Sequence, residues 1–285
     1  MKRLFAVLLA VTFLFCANGR ERINFDKGWR FTLGDNMNMA DVEYNDSKWR
    51  LLDLPHDWAI EGGFSAQNKS GAGGGALPGG VGWYRKHFRV QDVCKYFLEF
   101  DGVYMNALVF VNGEMVDYRP YGYSSFTIDI TRYLRCTDNV IAVRVDNSDQ
   151  PNSRWYSGCG IYRHVWLTKT EYVHVRQWGV HVETNAKSGQ VKVSTIVAGK
   201  NYNVQHVVTD AAGNEVARGS GDRAVMHVNP STLKRWSPES PYIYKVRTRV
   251  FSKGNMVDEV VTTTAFRDFR FDAKTGFWLN GKNVK

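Results

Sequence analysis

The stretch Tyr244-Lys245-Val246-Arg247-Thr248-Arg249-Val250 decides the fold class. Tyr244, Val246, Thr248 and Val250 point one way, and Lys245, Arg247 and Arg249 the other. That period of two belongs to a strand with one buried and one solvated face. The pattern recurs on either side. Val191, Val193 and Thr195 alternate with Lys192 and Ser194, and Val140 to Val145 reads as a strand that stops at Asp146-Asn147. Ala107 to Val111 is a continuous apolar run closed by Asn112-Gly113, a pair suited to the positive φ angles of a type I′ hairpin. Helix signals are nearly absent. Many short strands with regular turns predict an all-β chain built from sandwiches.

A composition change near residue 170 predicts two domains. Before it lies a segment rich in Trp and Tyr with long loops, about 150 residues, the size of a jelly roll. After it come about 100 residues of plain strand and turn, which suits a seven-stranded immunoglobulin-like sandwich. The stretch Ser70-Gly71-Ala72-Gly73-Gly74-Gly75-Ala76-Leu77-Pro78-Gly79-Gly80 must be a loop, and a loop this long in a compact domain is functional or disordered. Phe277 to Val284 reads as strand, Asn280-Gly281 turn and returning strand. The sequence stops as that strand begins, so the chain is expected to be the front part of a longer protein.

Lys2-Arg3, the apolar run Leu4 to Phe15 and Ala17-Asn18-Gly19 match a secretory signal over residues 1–19, with an apolar core too short to span a bilayer. No other stretch approaches the roughly 20 apolar residues of a membrane span. Export to the periplasm or cell surface is therefore expected. Cys16 raises lipid attachment, but the bulky Phe15 before it argues against that. Cys94, Cys136 and Cys159 are too few for a disulfide framework and show no metal-ligand spacing. A single Cys94–Cys136 bridge is one reading and free buried thiols the other. The net charge of +9 becomes +7 without Lys2 and Arg3. The basic residues are scattered, which excludes a nucleic-acid surface.

Several segments together carry a resemblance. They are Phe25-Asp26-Lys27-Gly28-Trp29-Arg30-Phe31, Asp46-Ser47-Lys48-Trp49, Leu54-Pro55-His56-Asp57-Trp58 and Gly82-Trp83-Tyr84-Arg85-Lys86. Phe100-Asp101-Gly102-Val103, Val111-Asn112-Gly113 and Tyr123-Ser124-Ser125-Phe126 with Asp129-Ile130-Thr131 follow. Arg154-Trp155-Tyr156-Ser157-Gly158 and Gly160-Ile161-Tyr162-Arg163 complete the series. In this order they resemble the N-terminal part of glycoside hydrolase family 2, most similar to its exported bacterial β-galactosidases. The resemblance implies a jelly-roll sugar-binding domain over 22–170 and an immunoglobulin-like sandwich over 171–267. It makes residues 268–285 the lead-in to a catalytic (β/α)8 barrel. It also implies that both catalytic glutamates lie in that barrel, so this chain holds no catalytic residue. No cofactor or metal is expected in it. The implied partner is a β-linked galactoside or related oligosaccharide, met by a full-length protein that could self-associate.

Four residues are candidates for sugar contact. Asp57 and Glu61 follow Pro55 closely. Asp57 reads as a turn residue accepting backbone N–H groups, and either acid could accept a strong hydrogen bond from a sugar hydroxyl. Asn68 opens the Gly-rich loop, and the resemblance implies that a loop of this domain reaches a sugar. His164 occupies a position where some family members carry Asp, replacing an acceptor with a group that titrates near neutrality. Arg154, Trp155 and Arg163 read as packing residues, with Arg over an indole face. Two readings compete: the non-catalytic part of a glycoside hydrolase, or a free-standing carbohydrate-binding module. A module should present solvent-facing aromatics, whereas Trp29, Trp49, Trp58 and Trp83 sit in patterns that predict burial.

Overall fold

A computed structural model describes residues 19–284, so the expectations for the signal segment and for Cys16 lie outside it. Two compact units emerge, one over Ile23–Leu167, the other from Thr168 onward together with residues 19–22. No α-helix occurs among the described residues. The strands of the first unit are β1 (Glu21–Asn24), β2 (Trp29–Leu33), β3 (Arg50–Leu52), β4 (Gly80–Arg89) and β5 (Lys95–Phe100). They continue with β6 (Ala107–Val111), β7 (Glu114–Arg119), β8 (Phe126–Asp129), β9 (Asp138–Asn147) and β10 (Val165–Thr170). They form a four-stranded sheet β1-β10-β5-β8 and a six-stranded sheet β3-β2-β4-β9-β6-β7, a jelly-roll sandwich. Trp29, Tyr84, Leu98, Phe100, Val109 and Val143 fill the space between the sheets. Asn112 and Gly113 take φ of 51° and 85°, the turn expected between β6 and β7.

The six-stranded sheet is apolar on its outer face as well. Trp83, Phe110 and Ala142 point away from the main core and are covered by Ala40, Met39 and Trp49. A buried charge holds that cover in place. Arg85 is fully buried on β4 and donates through Nη1 to the carbonyls of Met39 (2.6 Å) and Asp41 (2.9 Å). Its Nε donates to Asp46 Oδ2 at 2.8 Å, and Arg30 and His87 reach the same carboxylate at 2.6 and 2.8 Å. Burial alone would raise the Asp46 pKa. Hydrogen bonds from His87 and Arg85 outweigh it and hold the carboxyl below its usual range.

The second unit has β11 (His174–Thr184), β12 (Gln190–Ala198), β13 (Tyr202–Thr209), β14 (Glu215–Ser220), β15 (Arg223–His227), β16 (Tyr244–Ser252) and β17 (Asn255–Thr264). Sheets β11-β12-β15 and β14-β13-β16-β17 make the seven-stranded immunoglobulin-like sandwich. On β16, Tyr244, Val246, Thr248 and Val250 are all buried. The opposite face is less bare than the alternation predicts: Arg247 and Arg249 each hold Glu259 of β17 at 2.6 Å. A three-stranded meander follows, β18 (Phe269–Asp272), β19 (Gly276–Leu279) and β20 (Lys282–Val284). Asn280 fixes its turn, accepting from the Asp268 N–H at 3.0 Å and donating to the Trp236 carbonyl at 2.9 Å.

The cysteine expectation needs correction. Cys136 and Cys159 are free thiols, so Cys94 and Cys136 form no bridge. Cys94 is buried in the main core, whereas Cys136 is exposed in the turn before β9. Cys159 is the buried free thiol, and burial pushes its pKa up to about 12.

Asp46→Ala would leave the buried Arg85 without its carboxylate, a change that costs about 3 kcal/mol or more. Urea denaturation followed by tryptophan fluorescence should show that loss. In the second unit His206 is fully buried between Thr248 Oγ1 (3.1 Å) and the Gly221 carbonyl (3.0 Å). Burial holds its pKa below 6.5. The unfolded chain therefore takes up this proton first, and stability is lost as pH falls through 6.5 and below. His206→Gln should lessen the decline in unfolding free energy between about pH 7 and pH 5.

Candidate functional site

The loop end of the first sandwich is built around residues 159–161. His56 N–H donates to the Ile161 carbonyl at 2.9 Å and Trp58 N–H to the Cys159 carbonyl at 3.2 Å. Tyr104 and Gly160 exchange two backbone bonds of 2.9 Å. Gly160 has φ of +118°, and a Cβ there would lie 2.3 Å from Tyr84 Oη and 2.8 Å from the His56 carbonyl. Only glycine fits both the backbone angle and the space. Asn147, nearly fully buried, donates to the Gly158 carbonyl at 3.0 Å and accepts from Gln150 (2.8 Å) and Asn152 (2.7 Å). The chain from β9 to Gly160 is thereby tied down without regular structure.

Each candidate residue has a defined place. Asp57 Oδ1 accepts from the N–H groups of Ala59 and Cys159, both at 2.9 Å, and Oδ2 accepts from Tyr156 Oη. Burial and the Asp57 carboxylate together push the Tyr156 pKa up. Asp57 thus clamps two loops. Glu61 pairs in a fork with Arg50, at 2.6 and 2.7 Å, and Arg50 lowers its pKa. Burial pushes the Tyr84 pKa up and keeps its hydroxyl protonated. That hydroxyl shares a hydrogen bond with His56 Nδ1 at 2.7 Å, and the other ring nitrogen of His56 is Nε2. That buried nitrogen makes no hydrogen bond but lies 3.4 Å from Glu61 Oε1. Burial lowers the His56 pKa, against the pull of Glu61.

Asn68 closes the Gly-rich loop on itself. Its Nδ2 donates to the carbonyls of Ala76 (2.7 Å) and Gly63 (3.2 Å), and Oδ1 accepts nothing from the described residues. Ser70 Oγ donates to the Leu77 carbonyl at 2.7 Å, so the loop is ordered. His164 lies apart from the other candidates in its bonding: Nδ1 meets Asp26 Oδ2 at 2.7 Å, and Asp26 Oδ1 accepts the Val165 N–H at 2.8 Å. The structure therefore brings Asp57 and Glu61 to one turn and joins neither to His164 by any bond among the described residues.

The packing reading of Arg154, Trp155 and Arg163 is overturned, since all three side chains are exposed. Trp155 is 60% exposed, and its Nε1 donates to Tyr123 Oη at 3.1 Å. Tyr121 packs edge-on against Tyr123 at 5.7 Å, and Tyr123 against the buried Tyr104 at 5.1 Å. Tyr156 is also exposed and lies beside Gly75 of the Gly-rich loop. Exposed aromatics gathered in this way mark an interaction surface. The sequence signal was there, in Tyr121-Gly122-Tyr123 and Trp155-Tyr156 standing outside any alternation, but it does not distinguish burial from exposure. Among the described residues no cluster of His, Cys, Asp and Glu could hold a metal.

The described residues thus form a jelly roll with exposed loop-end aromatics, followed by an immunoglobulin-like sandwich, an all-β two-sandwich class. Residues 77–171 match the sugar binding domain of glycosyl hydrolases family 2, and residues 166–267 match a second model of glycosyl hydrolases family 2. A β-galactosidase of Bacteroides ovatus, BoGH2A, is 48% identical over 93% of this chain and 34% of its own length. A putative β-glucuronidase of Formosa agariphila is 39% identical over 93% of this chain and 27% of its own. A β-glycosidase of Bacteroides vulgatus superimposes with a TM-score of 0.88 at 34% identity, over 93% of this chain and 36% of that one. The chain belongs to glycosyl hydrolase family 2, and it spans about a third of the length of the curated relatives it matches.

Gly160→Ala should prevent the loop end from closing. Both the steric overlap and the positive φ act against it, and a loss of about 3 kcal/mol or more is expected. Thermal unfolding should show the first unit destabilised, with the second unit's transition unchanged.

Proposed function

We propose that this chain is the non-catalytic part of a β-galactosidase-like family 2 glycoside hydrolase. It supports the catalytic domain and offers it a sugar-contacting surface. The full-length protein would hydrolyse β-glycosidic bonds with retention, as an exported enzyme of carbohydrate catabolism. The observation that carries this reading is the ordered surface formed by the Gly-rich loop, Trp155, Tyr156, Tyr121 and Tyr123. A surface fixed by its own hydrogen bonds is pre-organised for a ligand. The free Oδ1 of Asn68 suits a sugar hydroxyl donor. The galactoside assignment draws on the 48% identity to a β-galactosidase.

Chemistry at the candidate acids supports a non-catalytic role. Retaining hydrolysis needs one carboxylate free to attack and a second able to hold a proton, about 5 Å apart. Asp57 accepts three hydrogen bonds within the fold. Glu61 is held ionised by Arg50, so it cannot serve as the acid near neutral pH. A second reading, a carbohydrate-binding module acting without a catalytic domain, is favoured by the exposure of Trp155 and Tyr121, at 60% and 63%.

The purified chain should fold and release no nitrophenol from p-nitrophenyl β-galactoside above the buffer blank. Turnover that disappears in Asp57→Asn or Glu61→Gln would overturn the assignment.

A further inference from the structure

Arg20 lies just before β1 and belongs to the second unit. Its guanidinium meets Asp258 of β17 with two nitrogens, Nε to Oδ1 and Nη2 to Oδ2, both at 3.1 Å. Nη2 also donates to the Val175 carbonyl of β11. Asp258 Oδ2 accepts the Val175 N–H at 2.7 Å. The Asp258 side chain is fully buried, and that of Arg20 is 16% exposed. β11 and β17 are each the edge strand of their sheet, so this one residue closes the seam between the two sheets. Val175 and Val250 pack beneath the seam with Val257 and Val260. Gly19 lies along the same strand: a Cβ on it would sit 3.7 Å from the Val257 carbonyl.

We propose that an export peptidase cuts the bond between Gly19 and Arg20, so that Arg20 is the first residue of the mature chain and the clasp of the second sandwich. In that step water adds across the peptide bond, leaving a carboxylate on Gly19 and an ammonium on Arg20. Two observations bracket the bond. On the sequence side, a secretory leader is cut after a small residue that has another small residue two positions before it. Ala17 and Gly19 fit that pattern, whereas a cut after Ala17 would put the bulky Phe15 at the earlier position. On the structural side, a cut beyond Arg20 would take the guanidinium away from Asp258. A buried carboxylate stripped of that counter-charge is strongly destabilising. The fork also gives Arg20 a reason to be Arg: two nitrogens face the two carboxylate oxygens, and one of them reaches the Val175 carbonyl as well. The inference rests on the export reading and is independent of the catalytic assignment.

The test expresses the chain with its own leader in a Gram-negative host and takes the intact mass and N-terminal sequence of the purified product. The product should begin at Arg20. Another first residue in an exported product overturns the cut site alone, and a retained leader overturns the export reading with it. Hydrogen exchange of the native protein, followed by mass spectrometry, then tests the clasp. Arg20→Ala should speed exchange in β11 and β17 about 100-fold, the effect of stranding a buried charge, while β4 and β9 of the first unit keep their rates. Arg20→Lys keeps the charge without the fork and should fall between the two, and it carries the comparison if Arg20→Ala does not fold. Adding Asp258→Asn to Arg20→Ala should restore part of the protection, because the stranded charge is then gone. Unchanged exchange in β11 and β17 of Arg20→Ala overturns the clasp. So does faster exchange spread equally over both units.

Discussion

The close approach of backbone at Gly160 is the constraint on which the first domain's loop end depends. Three chain segments meet there: Tyr104 on one side, His56 to Trp58 on the other, and Gly160 between them, within 2.8 Å of the His56 carbonyl at its would-be Cβ. Loops seldom pair this regularly, because buried backbone without partners is costly. Here the pairing satisfies those groups, and side chains complete it. Asp57 accepts from Ala59 and Cys159, and Asn147 donates to Gly158. The exposed aromatics therefore stand on a fixed base, which lowers the ordering cost of binding anything against them.

A different constraint shapes the opposite side of the same domain. The outer face of the six-stranded sheet carries Trp83 and Phe110, too apolar for water, and the chain between β2 and β3 is folded across it as a cover. Arg85 and Asp46 anchor that cover by charge and by carbonyl contacts. Such a pair gives little net stability over an apolar one, but it dictates which segment sits there, since each unmet charge would be costly. The cover also ends in Lys48 and Trp49, so the same anchor places both beside the edge strand β3.

Much of the fold was legible because it is written locally. The alternation at Tyr244 to Val250 gave its buried face correctly, and the Asn112-Gly113 pair gave its turn from backbone preference alone. The burial of Trp29, Trp58 and Trp83 was also readable, with Trp49 only half-buried. What was not legible depends on partners distant in sequence. Asp57 reads correctly as an acceptor of backbone N–H groups, yet one of its donors is Cys159, 102 residues away. Glu61 owes its state to Arg50, and nothing in the spacing marks that fork. Trp155 was misread because its neighbours in sequence are polar and aromatic alike, and only the fold shows that no core lies beneath it. Arg247 and Arg249 face outward as expected, but the shared Glu259 appears only once β17 pairs with β16.

Asp57 and Glu61 show why residue type alone does not name a role. They sit four residues apart with the same charge. Asp57 meets donors from three residues of its own fold, which uses three of its roughly four acceptor sites and makes it a clamp. Glu61 meets the Arg50 guanidinium with both oxygens, and its Oε1 also lies 3.4 Å from the buried His56 Nε2. Lowering of its pKa by Arg50 removes acid catalysis from its repertoire. The same effect improves it as an acceptor, because an ionised carboxylate binds hydroxyl donors more strongly than a neutral acid does. What disqualifies Glu61 as a catalyst is therefore what keeps it a charged acceptor between Arg50 and His56.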